Sequence, residues 1–562
     1  MNQTTPAIVA QDAVRRLPRA ALLLLCLAYV LPGFVGRDPL KGADMASYGF
    51  MAELARGGTD WLSPQLMGLA TRDGALLPYW LGAWAIQLAP TWLASDLAVR
   101  VVFGLLLAVT LAATWYASYY LARHPHAQPV AFAFGGEALL PDYARAIADG
   151  SLLALIACLG LAQLAHETTS ALAQLCFASL SFFALAALPY RNIATLLCAL
   201  IGLAGLTLSG APTLAVLLGA GGALIYVLER TPESQALRAK AGVILGITLL
   251  CAILAARLDL WQWRITAPQP SWGEWSSMGR LLLWFTWPAW PLALWTLWRW
   301  RHQLLQGRGA GRHLLLPVWF AGVALLATLS TASGERSLLL ALPALATLAA
   351  FALPTLRRSV SALIDWFTLL FFSGSALIIW VIWIAMQTGV PNQLAANVAR
   401  LAPGFQPSFS VLPVGVAALA TLAWGWLVKW RVGRHRSAIW KSLVLPAGGA
   451  ALCFLLLMTL WLPLYNFTRS YAPLMQRTSA LLGSTDCLEV HGLSHGHIAA
   501  FQFHARLVVR PAGAKVGCRW LLVNKDDLST LPAAIDLAGW TPHASLRHPA
   551  DREEDLLLYH RK

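Results

Sequence analysis

Charged residues are scarce in this chain, so the stretch from Gly36 to Trp84, with both signs of charge, is where chemistry is first to be sought. It reads GRDPLKGADMASYGFMAELARGGTDWLSPQLMGLATRDGALLPYWLGAW. Within it, Met45 to Leu54 has helical spacing, with Tyr48, Met51 and Leu54 on one apolar face. Such a helix would lie along a membrane surface with Asp44 near its N-terminus. There the helix dipole and the free N–H groups favour an ionised carboxylate. That carboxylate could act as a general base toward a hydroxyl, or it could serve only as a helix cap. Four other constellations stand out. His491, His495 and His497 in HGLSHGH could bind a metal or lie in a solvated Gly-rich loop. Glu335-Arg336 reads as an ion pair at the end of a span or as a substrate contact. Asp365 reads as one half of an interfacial pair, and His166-Glu167 as a tight turn between apolar runs. No Walker loop, dinucleotide fingerprint or Ser-nucleophile elbow occurs, which argues against nucleotide-driven pumping.

The elements that must position these residues follow from composition. Hydrophobic residues make up 58% of the 562 and charged ones 12%. A soluble protein carries about 25% charge, so this chain cannot cover itself with a polar surface. Nine of its 26 Asp and Glu lie in the last 98 residues, so residues 1–464 read as a polytopic membrane domain and 465–562 as a small soluble one. The net charge of +15 is spread over short clusters between apolar runs: Arg15, Arg16 and Arg19; Arg230, Arg238 and Lys240; Arg299, Arg301, Arg308 and Arg312; Arg357 and Arg358; Lys429, Arg431, Arg434 and Arg436. Cytoplasmic loops retain Lys and Arg in this way, whereas a nucleic-acid partner needs one continuous basic face. No nucleic acid is expected.

Spans read at roughly 20–35, 97–121, 150–166, 170–187, 192–208, 211–228, 241–257, 280–298, 313–329, 337–354, 361–386, 411–428 and 442–463, about 13 in all. The first lacks a small-x-small cleavage site and reads as a retained anchor, which puts residues 37–96 outside. Residues 258–279, 387–410 and everything after 464 also fall outside. Between 123 and 190 the count does not close. If 128–148 crosses, Asp149 lies outside and one of the next two apolar runs fails to span; if it does not, Asp149 lies inside. The tail reads as α/β, with helices at Thr468 to Leu482 and Leu528 to Leu537, and strands at 498–509, 519–523 and 555–559. Cys487 and Cys518 both lie there and could pair if the compartment is oxidising.

The run Asp44-x3-Tyr48, Trp61-x2-Pro64, Gly68 and Tyr79-Trp80-Leu81 resembles the first periplasmic loop of the GT-C glycosyltransferases. It is most similar to the bacterial lipid A aminoarabinose transferases and their protein O-mannosyltransferase kin. Later segments agree in order: Tyr143-Ala-Arg145-x3-Asp149, Gly202 to Pro212, Trp287-Pro288, Glu335-Arg336 before Leu342-Pro343, and Tyr465 to Ser470 at the start of the tail. The chain departs from the family pattern in four places: Gly74 and Ser209 stand where the family has Lys, Met45 stands where it has Glu, and no His occurs in the outer loop 258–279, where relatives supply a metal ligand.

The resemblance implies a mostly α, GT-C-type bundle with a small extracytoplasmic α/β domain, in a bacterial inner membrane. It implies inverting transfer of a sugar from a polyprenyl-phosphate donor to an envelope acceptor such as lipid A. Asp44 and Asp149 would be catalytic. Lys41, Tyr48, Arg72, Tyr79, Arg145, Glu335 and Arg336 would hold substrate or the donor phosphate. Asp73 would be the place for a divalent ion, if one takes part. Two other classes remain. A transporter or flippase of lipid-linked saccharide would show half-chain repeats and midplane charges, and a degenerate scaffold would keep the fold without transfer.

Overall fold

The computed structural model of the chain describes residues 5–229, 234–262, 271–305, 311–331, 334–432, 438–483, 487–513, 517–551 and 555–562. Arg230, Arg308, Arg434 and Arg436 of the basic clusters lie outside the described residues.

The protein is mostly helical. In chain order the bundle opens with α1 (Arg19–Val30), α2 (Ala43–Ala55), α3 (Leu77–Leu88), α4 (Ser95–Ala122), α5 (Leu140–Ala157), α6 (Leu159–Leu164), α7 (Ser170–Ala187) and α8 (Ile193–Leu208). There follow α9 (Pro212–Leu228), α10 (Ser234–Arg257), α11 (Trp272–Phe285), α12 (Ala289–Arg299), α13 (Arg301–Leu305), α14 (Arg312–Leu329), α15 (Gly334–Leu339) and α16 (Leu342–Ala352). It ends with α17 (Arg358–Thr388), α18 (Asn392–Leu401), α19 (Val411–Val432), α20 (Lys441–Leu460) and α21 (Leu462–Arg469). Among the described residues seven helices are long and apolar enough to cross a bilayer, namely α4, α7, α10, α14, α17, α19 and α20, and shorter apolar helices such as α1, α8, α9 and α16 pack among them. The chain is a multi-pass membrane protein.

Hydrogen bonds sort the helix ends into two sets. One end gathers the start of α4, where the Tyr48 hydroxyl lies 2.6 Å from Ser95 Oγ, the end of α8, where Leu208 O accepts from Leu76 N, and α21, where Arg469 O accepts from Lys41 N. The other gathers the N-terminal segment, where Arg16 pairs with Asp142 at 3.1 Å, and the start of α14, where Arg312 pairs with Glu229 at 3.0 Å. This settles the open stretch. Residues 123–139 stay at the second end, pinned by Val130 N to Ala7 O and by a bridge from Ala10 to Glu137. Both α5–α6 and α7 then traverse. The helix bearing Arg145 and Asp149 therefore begins at the end opposite the charged loop.

The charged loop forms α2, a two-residue hairpin of β1 (Gln65–Leu66) and β2 (Leu69–Ala70), and α3. The tail folds over it as α22 (Ala472–Leu482), β3 (Cys487–His491), α23 (His495–His504), β4 (Val508–Pro511), β5 (Trp520–Asn524), α24 (Leu531–Ala534), β6 (Trp540–Arg547) and β7 (Asp555–Arg561). The sheet order is β4-β3-β5-β7-β6, parallel across the first three strands and antiparallel across the rest. A Cys487–Cys518 disulfide ties the start of β3 to the approach of β5. The expected strand over 498–509 is in its first half the helix α23. Ser494 caps it by accepting from His497 N, and its small residues let it lie tight on α2. A Cβ on Gly49 would come 2.5 Å from Ala499 Cβ, so α2 and α23 touch through a glycine. The expected helix at Leu528 to Leu537 shrinks to the single turn of α24.

Candidate functional site

Asp44 sits in the first turn of α2, at the end of the bundle that the loop occupies, but in the interior, 2% exposed. Gly42 at φ +81 is the N-cap residue, so Asp44 is not the cap. Its Oδ2 reaches back to accept from Leu40 N at 2.9 Å, and Arg37 lies 3.6 Å away, equally buried. Its Oδ1 accepts from both the N–H and the hydroxyl of Thr168, each at 2.6 Å. The expectation of a carboxylate facing water along the membrane surface is thus corrected. Asp44 is a buried and fully engaged acceptor.

What it engages is the turn between α6 and α7. Arg37 donates to His166 O on one side of Glu167, and Asp44 holds Thr168 on the other. The two residues flanking Glu167 are therefore fixed by the first loop. Its own carboxylate is half-buried and forms no ion pair or hydrogen bond among the described residues. Burial first, and then the Asp44 charge, push the Glu167 carboxyl up to about 7, while Arg336 and Arg37 pull the other way and Glu335 adds to the rise. Arg336 and Glu335, on α15, are thereby brought to the same place, half-buried and exposed respectively. The sequence placed Glu167 in a tight turn, as found, but gave it no part in the site. Its signal was an acid between two apolar runs, where a carboxylate is costly unless used.

The second part of the site lies on the loop between β2 and α3. Asp73 Oδ1 accepts from Tyr79 OH at 2.9 Å and from Ala75 N at 3.3 Å. Burial and the Asp73 charge raise the Tyr79 hydroxyl well above its usual range, which keeps it a donor. Arg336 also acts on Tyr79, so this group adjoins the Glu167 group. The turn after α8 closes on it: a Cβ on Gly210, at φ +82, would come 2.3 Å from Asp73 O. Both the backbone conformation and the contact demand glycine there. From the tail, His495 stacks at 5.2 Å on Phe50, half-buried, with its Nε2 unpartnered among the described residues. Burial and Arg72 hold its imidazole below the usual range, against the carbonyls of Leu69 and Ala70 and the charge of Asp73. HGLSHGH is therefore not a solvated loop; it brings a histidine beside Arg72 and Asp73.

Several expected residues are elsewhere. Lys41 Nζ pairs with Asp551 of the tail at 2.8 Å. Tyr48, 4% exposed, packs edge-on against Phe503 of α23. Asp149 accepts from Trp115 Nε1 at 2.8 Å, and Trp115 is twenty residues along α4 from Ser95, about 30 Å at 1.5 Å per residue. Arg145, one turn earlier on α5, is at least as remote. Neither Arg145 nor Asp149 shares a site with Asp44. The resemblance alone had placed them there, while the crossing count between 123 and 190 was open. Asp73 is not joined by two more side chains of metal-ligating type. Among the described residues no group of three His, Cys, Asp or Glu could hold an ion. Asp365 pairs with Arg431, as an interfacial pair should.

No protein-family model matches the sequence, and no curated protein matches it significantly. Solved structures do match its fold. ArnT of Cupriavidus metallidurans in the apo state superposes with a TM-score of 0.57 at 14% identity, over 96% of this chain and 98% of that one. The same protein bound to undecaprenyl phosphate gives 0.58 over the same shares, also at 14% identity. An Archaeoglobus fulgidus oligosaccharyltransferase tethered to an acceptor peptide gives 0.45 at 9% identity, over 91% of this chain and 70% of that one. From the first helix to the last strand, then, the chain has the fold of ArnT, a GT-C fold.

Proposed function

We propose that the protein is a glycosyltransferase that moves a sugar from a polyprenyl-phosphate donor to an envelope acceptor such as lipid A, at the periplasmic face of a bacterial inner membrane. The observation that carries this reading is the convergence at one end of the bundle. Arg37 and Asp44 of the first loop, Glu167 of the α6–α7 turn and Arg336 of α15 meet there, from segments far apart in sequence. A transporter needs ionisable groups at the membrane midplane, whereas these lie at helix ends. The donor class is supported by the solved ArnT structure that holds undecaprenyl phosphate.

In this reading Glu167, not Asp44, takes the proton. It is the half-buried acid without a partner, and its raised pKa lies near the working pH, where a general base is most effective. The acceptor oxygen attacks the anomeric carbon as Glu167 accepts its proton. The bond from that carbon to the lipid phosphate breaks, and the phosphate leaves as an anion that needs no acid. Arg336 and Arg72 are the cations placed to meet that charge. Asp44 is a positioning residue, which with Arg37 fixes both neighbours of Glu167. The test is mass spectrometry of lipid A and envelope glycans from cells with the intact gene, without it, and with Glu167→Gln. One sugar increment should be lost in the last two. A profile unchanged by Glu167→Gln but altered by deletion would favour a scaffold.

A further inference from the structure

A groove of about 950 Å³ opens between the tip of the first loop and the tail, within the ~300–1,000 Å³ of ordinary ligand sites. Its walls are the end of α2 (Glu53, Arg56), the segment after it (Thr59, Asp60), the hairpin (Gln65, Met67) and the stretch from Gln502 to Val509 that leaves α23. No spanning helix lines it, so a lipid chain has no place there. One wall is built. Glu53 Oε1 accepts from Arg56 at 2.8 Å and from Gln502 Nε2 at 3.0 Å. The Arg506 guanidinium, by contrast, has no partner among the described residues. Only three described non-glycine residues have positive φ, and two of them, Met67 at 56° and Arg506 at 54°, line this groove. Such strain persists where the surroundings impose it and is frequent at ligand clamps.

Helix α23 runs from the groove toward the transfer site. Gln502 and His495 are seven residues apart on α23, hence on one face and about 10 Å apart. One end of that face meets Asp73 and Arg72 and the other lines the groove. A wall of mixed amide, hydroxyl, carboxylate and guanidinium groups, with Met67 and Leu507 as apolar floor, suits a polyhydroxyl ligand. We propose that this groove seats the water-facing saccharide head of the acceptor while its attacking hydroxyl reaches toward Glu167. This rests on the transferase reading and adds the acceptor's place to it.

The test measures binding of deacylated lipid A to the full-length protein in detergent by calorimetry, beside initial rates with intact lipid A. Gln65→Trp fills the groove without touching the hairpin backbone. Arg506→Asn removes the cation and keeps a residue that tolerates positive φ. Each should weaken deacylated lipid A binding at least tenfold and raise the acceptor KM similarly, leaving kcat and the donor KM unchanged. Glu167→Gln should bind like wild type and lose transfer about 10²–10⁴-fold. Wild-type KM in both groove variants, or no binding of the probe to the wild type, overturns the groove. Transfer by Glu167→Gln at a rate near wild type overturns the transferase mechanism and leaves the binding result standing.

Discussion

Two glutamates, one at each end of the bundle, are buried to a comparable degree and titrate in opposite directions. Glu229, just past α9, meets Arg312 at 3.0 Å through both oxygens and His124 at 3.1 Å. Burial alone would raise its carboxyl, but the His124 hydrogen bond and the Arg312 charge outweigh it and hold the group below its usual range. Glu167 has cations within electrostatic reach but none bonded to it, and an ionised Asp44 close by, so it rises. The fold satisfies one acid completely and leaves the other unsatisfied while clamping its neighbours. Complete pairing reads as structure, and a rigid backbone beneath an unpaired acid reads as chemistry.

That contrast can be broken, most directly by Glu167→Gln. Transfer should fall about 10²–10⁴-fold, the usual worth of a general base, with the melting temperature in detergent unchanged. A large loss of stability instead would make Glu167 another structural acid. Glu229→Gln should do the reverse. It leaves Arg312 buried without its counter-charge, which costs about 3 kcal/mol or more. It should lower the melting temperature and leave the rate per folded molecule intact.

Asp44→Asn sharpens the comparison through pH. Transfer by a general base rises as the base deprotonates, so the wild-type rate should climb with pH through about 7. The Asp44 charge opposes ionisation of Glu167, so its removal should move that limb to lower pH. The rate at the plateau should also fall, because an amide N–H would face one of the donors that the carboxylate now accepts. An unmoved limb would separate the two acids. Glu335→Gln should shift the limb the same way but by less, because Glu335 is exposed and the weakest of the contributors.

Much of the fold was legible in the sequence because apolar runs and basic clusters carry the insertion rules directly. The loop that builds the site was legible for the same reason: its charges had no other use. What failed was parity across 123–190. Charge density made 128–148 look like a troubled span, but Asp142 is met by Arg16 and Asp149 by Trp115, so the charges of α5 are accommodated at the far end. The resemblance brought Asp149 toward Asp44, whereas the residue that Asp44 meets is Thr168, beside Glu167. In the tail, the alternation of Ile498 to Val509 mimics a strand, and the helix there is decided by the Ser494 cap and by packing on Gly49. The strand β6 was hidden by Pro542, which a sheet edge tolerates beside a register shift.

Three of the loop's contacts are made to residues between 466 and 551. Leu40 bridges to Ser470, Asp38 N bonds the Asn466 side chain at 3.1 Å, and Lys41 pairs with Asp551. During synthesis the loop is therefore made early and must wait through every later helix before these contacts exist. A chain that stops short of these residues would lack the contacts, so the arrangement of the loop depends on segments made long after it.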